Sequence, residues 1–180
     1  MIIALAGRRV DAGDSKEPRF PLANVALVRE RIRAMLREEG ATAVVCAAAC
    51  GADLIALEEA GSLKLRRRVV LPFERMHFRD TSVIDRPGNW GPLYDRILNQ
   101  VEAAKDLVIL ENMPEEEAYL AANRGILDEA DVLAQQRQER VEAALVWNGE
   151  SRGERDITEE FGNEARQRGW PVVEVSTLNR

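Results

Sequence analysis

Three short apolar runs in this chain each end in a glycine turn with polar residues just beyond it. The runs with their closing glycines are residues 2–7, 43–51 and 143–149. A buried strand that ends at a glycine and leads into a helix is the repeating unit of a parallel α/β sheet. Ligands of such sheets bind at the carboxyl ends of the strands, where glycine lets backbone N–H groups approach and a helix N-terminus favours an anion. The pattern therefore predicts one shared pocket for a nucleotide-like or other phosphate-bearing molecule.

The rest of the chain alternates between helical spacing of apolar residues and short apolar strands. The pattern predicts a helix from Val25 that Gly40 ends, and further helices over 53–63, 93–104, 117–139 and 157–168. After the first strand, it predicts strands over 42–48, 68–71, 107–110, 143–146 and 172–175. Because parallel strands need right-handed crossovers, we expect one α/β domain over 1–180, with a doubly wound, mostly parallel central sheet between helices.

Two stretches lack this periodicity. Residues 10–21 are polar and contain two prolines, so they are predicted to form a loop. Residues 73–92 form the longest such stretch, and a loop of this length in a compact domain is more often functional than not. We interpret it either as a loop that closes over a ligand or as a surface segment held by its own salt bridges. A break over 113–117 precedes the next helix.

The composition favours a cytoplasmic protein with a small ligand. The chain has 180 residues, of which 46% are hydrophobic, and 31 acidic against 25 basic residues give a net charge of -6. General nucleic-acid binders carry a basic surface, so we expect no general nucleic-acid binding. The chain begins with a strand rather than a signal segment, and no apolar run approaches the roughly 20 residues that span a bilayer. We therefore expect no membrane association.

The two cysteines, Cys46 and Cys50, lie in one apolar segment. Their spacing suits neither a mutual disulfide nor a metal site, so they are predicted to be core thiols. The consecutive residues Glu115–Glu117 point in different directions on a helix and suit its N-terminal dipole instead. We expect no metal and no cofactor.

The first two glycine turns carry the charged candidates for ligand binding. Arg8 and Arg9 follow Gly7 at a strand end, where an arginine either holds a phosphate or pairs with a nearby carboxylate. Gly51 is needed for the second turn. Asp53 either caps the following helix or accepts a hydrogen bond from a ligand hydroxyl. The sequence leaves each of these alternatives open.

The third turn carries an aromatic candidate. Trp147 either stacks on a base or covers the core, and Asn148 is placed to hydrogen-bond the same ring, with Gly149 closing the turn. Gly153 and Thr158 flank the next helix start, whose backbone N–H groups suit a phosphate. Thr158 serves either in that binding or only as a helix cap.

Several motifs together resemble a known superfamily. They are, in chain order, Gly7–Asp11 with Pro18–Pro21, Ala48–Asp53, Leu71–Phe73, and Val146–Gly149 with Gly153 and Thr158. This ordered set, which covers nearly the whole chain, resembles the SLOG superfamily, which joins the lonely-guy cytokinin-activating phosphoribohydrolases to the DNA-processing protein A family. The resemblance implies a Rossmann-like three-layer sandwich and a nucleotide-derived ligand that is either hydrolysed or sensed.

One departure from that superfamily concerns catalysis. The lonely-guy enzymes carry two glycines, any residue, then Gly-Thr-x-x-Glu, and that glutamate takes part in cleaving the bond between base and ribose. If Thr158 is the threonine, Phe161 stands at the glutamate position, and Glu160 lies one residue early, about 100° around a helix. The nucleoside deoxyribosyltransferases place a glutamate in a similar loop, and this chain departs from them in the same way. The departure favours a sensor over an enzyme.

Three functional hypotheses follow. The first is a binding module that senses a nucleotide-derived small molecule. The second is an N-glycosidic hydrolase of nucleotides in which Glu159 or Glu160 replaces the missing glutamate. The third is a protein-interaction domain with a vestigial pocket.

The resemblance implies a homodimer, and a sensor would act beside a separate effector protein. One helix face, formed by Tyr119, Asn123 and Arg124, lines either the pocket or an oligomer contact.

Overall fold

A six-stranded parallel sheet forms the centre of the computed structural model, which describes residues 1–110 and 114–179. The strands are β1 (Ile2–Gly7), β2 (Ala43–Cys46), β3 (Arg66–Leu71), β4 (Leu107–Ile109), β5 (Val141–Trp147) and β6 (Val172–Ser176). Their order in the sheet is β4-β3-β2-β1-β5-β6, and every neighbouring pair is parallel. The sheet therefore reverses direction of winding at β1, which pairs with β2 on one side and β5 on the other.

Helices cover both faces of the sheet. They are α1 (Val25–Glu38), α2 (Ala52–Ser62), α3 (Arg75–Ser82), α4 (Trp90–Ala103), α5 (Glu115–Arg137) and α6 (Ile157–Gln167). Residues of α1, α2 and α4 pack with Ile3 and Leu5 on one face, whereas α5 and α6 pack with Ile2 and Ala4 on the other. Successive β1 side chains thus enter opposite cores, which explains why this strand is apolar throughout. The expected Rossmann-like α/β sandwich with a parallel sheet is confirmed.

The largest difference from the sequence prediction lies in residues 73–92. This stretch is not a loop: it contains α3, and α4 begins at Trp90. Glu74 caps α3 by accepting hydrogen bonds from the backbone N–H groups of Met76 and His77. The helix buries only Phe78 and Ser82, so its apolar period is too short to read from the sequence. Pro92 fits the first turn of α4, where no backbone hydrogen bond is lost.

Smaller differences concern element ends. Strand β2 ends at Cys46 rather than at residue 48, and β3 begins at Arg66 rather than at residue 68. The sequence at Arg66–Arg68 looks too charged for a strand. In the structure, Arg66 and Arg68 both pair with the carboxylate of Asp106, which offsets their charge. Helix α5 begins at Glu115, two residues earlier than predicted, and Met113 of the predicted break lies outside the described residues. Among residues 1–110 and 114–179, no helix is long and apolar enough to cross a membrane.

Candidate functional site

A cavity of about 560 Å³ opens at the carboxyl ends of β1, β2 and β3. This volume suits a small-molecule ligand. Its charged lining consists of Arg8, Arg9, Arg19, Arg86, Arg152, Asp11 and Asp53. Its apolar and aromatic lining includes Leu5, Ala6, Ala47, Ala49, Pro72, Phe78, Tyr119, Ala122, Ile126 and Ile157. Arginines and apolar side chains therefore share one site at the sheet edge where parallel α/β folds bind ligands.

Two glycines bring β1 and α2 into contact beside the cavity. A Cβ atom on Gly7 would lie 2.4 Å from the Cβ atom of Ala52, so only glycine allows this approach. Gly51 has a φ of +96°, and a Cβ atom there would lie 2.8 Å from the carbonyl oxygen of Arg8. The N–H group of Ala52 donates a hydrogen bond to that carbonyl. The first two predicted glycine turns are thus in direct contact, and Gly7 lines the cavity.

Arg8 is buried, and protein acceptors occupy its whole guanidinium group. Its Nη1 and Nη2 atoms donate to the two carboxylate oxygens of Asp156 at 2.8 and 2.7 Å. Further hydrogen bonds reach the Asn148 side chain, the Thr158 hydroxyl and the carbonyl of Glu150. The predicted alternative in which Arg8 pairs with a carboxylate is therefore the arrangement in this structure. Phosphate binding by Arg8 stays a prediction.

Asp156 is the partner that the sequence analysis did not single out. Besides Arg8, its carboxylate accepts backbone N–H groups of Arg152, Thr158 and Glu159. These hydrogen bonds and the Arg8 charge outweigh the desolvation by burial and hold the pKa of Asp156 well below its usual range. Asp156 is also the N-cap of α6. An aspartate directly before an apolar helical pattern is the sequence signal that would have identified it.

Arg9 lines the cavity with a different set of partners. Its Nη1 atom contacts both carboxylate oxygens of Asp85 at 2.9 and 2.7 Å and donates to the carbonyl of Thr81. The same carboxylate lies 3.5 Å from Nε of Arg86, which also lines the cavity. Arg9, Arg86 and Asp85 are partly exposed. They therefore form a local cluster in which two arginines share one carboxylate.

Asp53 is a buried carboxyl group on the cavity wall. It lies in the first turn of α2 and caps neither end of that helix, because Gly51 is the N-cap. One of its oxygens accepts the backbone N–H of Ala49 at 3.1 Å. Burial raises the pKa of Asp53 to about 7, although the Ala49 hydrogen bond and the charge of Arg9 act in the opposite direction. The carboxyl group thus changes protonation near neutral pH inside the cavity.

The third predicted turn lies behind the cavity rather than on its wall. Trp147 is buried, its indole N–H donates to Glu174, and the Arg8 guanidinium carbon lies 5.5 Å from its ring centre. Asn148 accepts a hydrogen bond from Arg8. Neither these two residues nor Gly149 and Gly153 belong to the lining among the described residues. Asn148 and Trp147 contact Arg8 in this structure, and the contact of these four residues with a ligand stays a prediction.

The residues that the catalytic hypothesis names lie at the start of α6, and they differ in whether they line the cavity. Thr158 is buried and lines the cavity, with its N–H bound to Asp156. Glu159 accepts a hydrogen bond from the Ser151 hydroxyl at 2.6 Å. In the described part of the chain, neither Glu159 nor Glu160 is a lining residue. Phe161 is fully buried in the core shared by α5 and α6, so its ring does not replace a catalytic group in the cavity.

One wall of the cavity is aromatic. Tyr119 on α5 hydrogen-bonds Ser82 on α3 at 3.1 Å, and its ring lies edge-on to Phe73 with centroids 5.7 Å apart. Phe78 packs beside Phe73. Helix α3, which the sequence analysis missed, thus supplies a wall of the site. Of the helix face that the sequence left open, Tyr119 and Asn123 line the cavity, and Arg124 is not in its lining.

The two cysteines lie beside this site without entering its chemistry. Cys46 and Cys50 are buried thiols, as predicted, and no disulfide joins them. Burial raises the pKa of Cys50 to about 12. Within residues 1–110 and 114–179, no group of three His, Cys, Asp or Glu side chains is arranged to hold a metal ion.

Comparisons with known proteins complete the description. No protein-family model and no curated protein matches this chain. The X-ray structure of DNA processing protein A (DprA) from Streptococcus pneumoniae is similar to it with a TM-score of 0.44 and 13% sequence identity. The match covers 97% of this chain and 58% of that chain. Membership of the superfamily that the motifs resemble stays a prediction.

Proposed function

We propose that this protein binds a nucleotide-derived small molecule in the cavity at the carboxyl ends of β1, β2 and β3, as a binding or sensing module. The observation that carries the proposal is the lining, in which partly exposed arginines adjoin a buried apolar and aromatic wall. Arginine suits a phosphate, and aromatic and aliphatic side chains suit a base. A ligand that combines both parts is a nucleotide derivative.

Each part of the lining receives a role in this proposal. The arginines outside the Arg8–Asp156 pair contact the phosphate, and the backbone at Gly7 lies close to the ligand. Gly51 is not among the described lining residues, and it shapes the turn that carries Asp53. Asp53 accepts a hydrogen bond from a ligand hydroxyl. Tyr119 and Phe78, which line the cavity, contact the base of the nucleotide in place of Trp147. The homodimer and the separate effector protein stay predictions.

One observation favours a second candidate function, the hydrolysis of an N-glycosidic bond. Glu159 and Glu160 lie outside the lining, whereas Asp53 lies on the cavity wall with a pKa of about 7. A carboxyl group with such a pKa exists in both protonation states at neutral pH, as acid–base chemistry requires. In this candidate, Asp53 rather than Glu159 or Glu160 is the catalytic group.

The test combines binding and turnover in one experiment. Purified protein is incubated with nucleoside monophosphates, ADP-ribose and cyclic nucleotides, and both the melting temperature and the release of free base are followed. We expect at least one nucleotide to raise the melting temperature while it remains intact. Release of base that is lost in Asp53→Asn would establish the hydrolase instead. If no nucleotide binds or reacts, the proposal is wrong and the interaction-domain hypothesis stands.

The control for this experiment is a variant that leaves the cavity unchanged. Arg37 is exposed in the last turn of α1 and is not part of the lining. Arg37→Gln removes one positive charge, as a substitution of a cavity arginine would. We expect it to bind nucleotides as the unsubstituted protein does. Equal losses in Arg37→Gln and in the cavity variants would indicate binding through net charge alone.

A further inference from the structure

Three arginines of the cavity lining lie near one another beside Asp156. Arg8, Arg19 and Arg152 all line the cavity, and the pKa of Arg152 is lowered by burial and by the neighbouring charges of Arg8 and Arg19. The Oδ2 atom of Asp156 lies 2.7 Å from Nη2 of Arg8 and 3.6 Å from Nε of Arg152. Two arginines therefore share one buried carboxylate, and the charge of a third, Arg19, acts on Arg152.

Arg19 has a fixed backbone and an incompletely satisfied side chain. Its N–H donates to the carboxylate of Asp11, and its carbonyl accepts the hydroxyl of Thr177. Among the residues that the structure describes, its Nη2 atom reaches only Glu17, at 3.3 Å, and the Glu17 side chain is 81% exposed. Its Nη1 atom is buried and has no hydrogen-bond partner among the described residues. The Arg19 guanidinium, which lines the cavity, therefore has hydrogen-bonding capacity that its contacts among the described residues do not use.

Arg152 lies on the loop between β5 and α6, and its backbone, like that of Arg19, is fixed by a hydrogen bond to a carboxylate. Its backbone N–H donates to Asp156 at 2.7 Å, while its side chain is half exposed. Asp156 already accepts two hydrogen bonds from Arg8 and three from backbone N–H groups. Little capacity is left for the Arg152 guanidinium, which lies at 3.6 Å. The group is thus placed at the cavity with only a weak protein partner.

The side chains of Arg9 and Arg86 both have protein acceptors. Asp85 contacts Arg9 at 2.7 Å through an oxygen that also lies 3.5 Å from Arg86, and both arginines donate to backbone carbonyls. Both guanidinium groups therefore have protein acceptors there, whereas Arg19 has a nitrogen without a partner among the described residues and Arg152 lies 3.6 Å from its carboxylate. The two sides of the cavity therefore differ in how many guanidinium donors the protein leaves unused.

We propose that Arg19 and Arg152 form the phosphate subsite of this cavity, with Arg8 and Asp156 as the buried support that fixes its position. The ligand class is a phosphomonoester or diphosphate. The proposal rests on the proposed nucleotide binding and assigns which arginines carry it. Arginines on two loops suit the several oxygens of one phosphate, because each guanidinium presents a planar pair of donors.

Isothermal titration with AMP, adenosine and inorganic pyrophosphate tests the subsite. We expect Arg19→Gln and Arg152→Gln each to weaken AMP binding about tenfold or more, as the loss of a charged hydrogen bond does. Both variants should bind adenosine, which lacks the phosphate, as the unsubstituted protein does. Arg152→Lys should retain part of the AMP affinity. Arg86→Gln should lose less than either variant, and Arg37→Gln should lose none. Melting temperatures confirm that each variant is folded.

The outcomes separate the subsite from the proposed function. If Arg19→Gln with Arg152→Gln leaves AMP binding unchanged, or if Arg86→Gln causes the larger loss, the subsite is wrong and nucleotide binding stands. If pyrophosphate binds through Arg19 and Arg152 while AMP, adenosine and the other nucleotides of the panel do not bind, the subsite stands and the nucleotide assignment is wrong. If neither these probes nor the other nucleotides of the panel bind the unsubstituted protein, both proposals are wrong.

Discussion

Asp53 and Asp156 are two buried carboxyl groups on either side of β1, at the same end of the sheet, and their surroundings differ sharply. Asp156 follows β5 and accepts five hydrogen bonds, two of them from a guanidinium. Asp53 follows β2 and accepts one, from a backbone N–H. Hydrogen bonds and the Arg8 charge lower the pKa of Asp156, whereas burial raises the pKa of Asp53 to about 7.

The comparison shows that Asp156 has a structural role, whereas the carboxyl group of Asp53 is available to a ligand. Asp156 has little capacity left to accept further hydrogen bonds, and it fixes the start of α6 together with Arg8. Asp53 lines the cavity, has an oxygen without a hydrogen bond among the described residues, and changes its charge near neutral pH. A carboxyl group in a cleft whose pKa is strongly perturbed is a candidate for a functional site. Here desolvation raises the pKa of Asp53, and the charge of Arg9 opposes that shift.

The largest expected effect is that of Asp156→Asn on stability. The substitution leaves the buried Arg8 guanidinium without its charge partner, and we expect the free energy of unfolding to fall by about 3–5 kcal/mol. Urea denaturation monitored by circular dichroism measures it. Asp128→Asn is the matched control, because Asp128 pairs with Arg168 but is 65% exposed and should cost at most about 1 kcal/mol. Equal effects in the two variants would contradict a structural role for Asp156.

The next effect is the pH dependence that Asp53 imposes on stability. Its pKa is about 7 in the folded chain against an ordinary value of 3.8, so the folded state binds the extra proton between these values. Stability therefore falls as pH rises from about 4 to about 7, and the ionised group costs at most about 4 kcal/mol above pH 7. Asp53→Asn keeps an acceptor for the Ala49 N–H and cannot ionise. We expect it to be more stable than the unsubstituted protein at pH 8 and equal to it at pH 4.

Urea titrations across this pH range measure the difference, with Asp14→Asn as an exposed control. The groups that act on Asp53 are Arg9 and the Ala49 N–H, and the nearby thiols Cys46 and Cys50 stay protonated over the range because their pKa values are raised. The difference between the two curves thus isolates Asp53. A difference that does not change with pH would show that Asp53 does not titrate in this window.

Gly7→Ala acts on both sides of the comparison, because its Cβ atom would meet residues of α2 and of β5. The new Cβ atom would meet the Cβ atom of Ala52 at 2.4 Å and the carbonyl of Val146 at 2.7 Å, so α2 must move relative to β1. Overpacking of this kind costs about 1–3 kcal/mol. Gly13→Ala, whose Cβ atom would have no neighbour closer than 4.0 Å, is the control in the same denaturation experiment. Equal stability of the two variants would show that the contact between strand and helix is not tight.

The comparison also shows how much the sequence predicts. The glycine turns after β1 and β2 gave the sheet, its edge and the positions of Arg9 and Asp53, because local patterns encode strand ends. The partner of Arg8 could not be predicted, since Asp156 is 148 residues away and only the parallel pairing of β1 with β5 brings them together. The helix α3 was missed because Phe78 and Ser82 are its only buried residues. The roles of Arg19 and Arg152 depend on loop positions that no periodicity describes.

The smallest expected effect is that of Glu159→Gln and Glu160→Gln on ligand chemistry. Neither side chain lines the cavity, and Glu159 hydrogen-bonds Ser151 instead. We expect both variants to bind AMP, and to release base if the protein releases any, within about twofold of the unsubstituted protein, because a group outside the site contributes no differential binding. Chromatography of free base and titration with AMP measure the two quantities. Loss of base release in Glu160→Gln but not in Asp53→Asn would reverse the comparison, because the carboxyl group that acts on the ligand would then lie on the Asp156 side of β1.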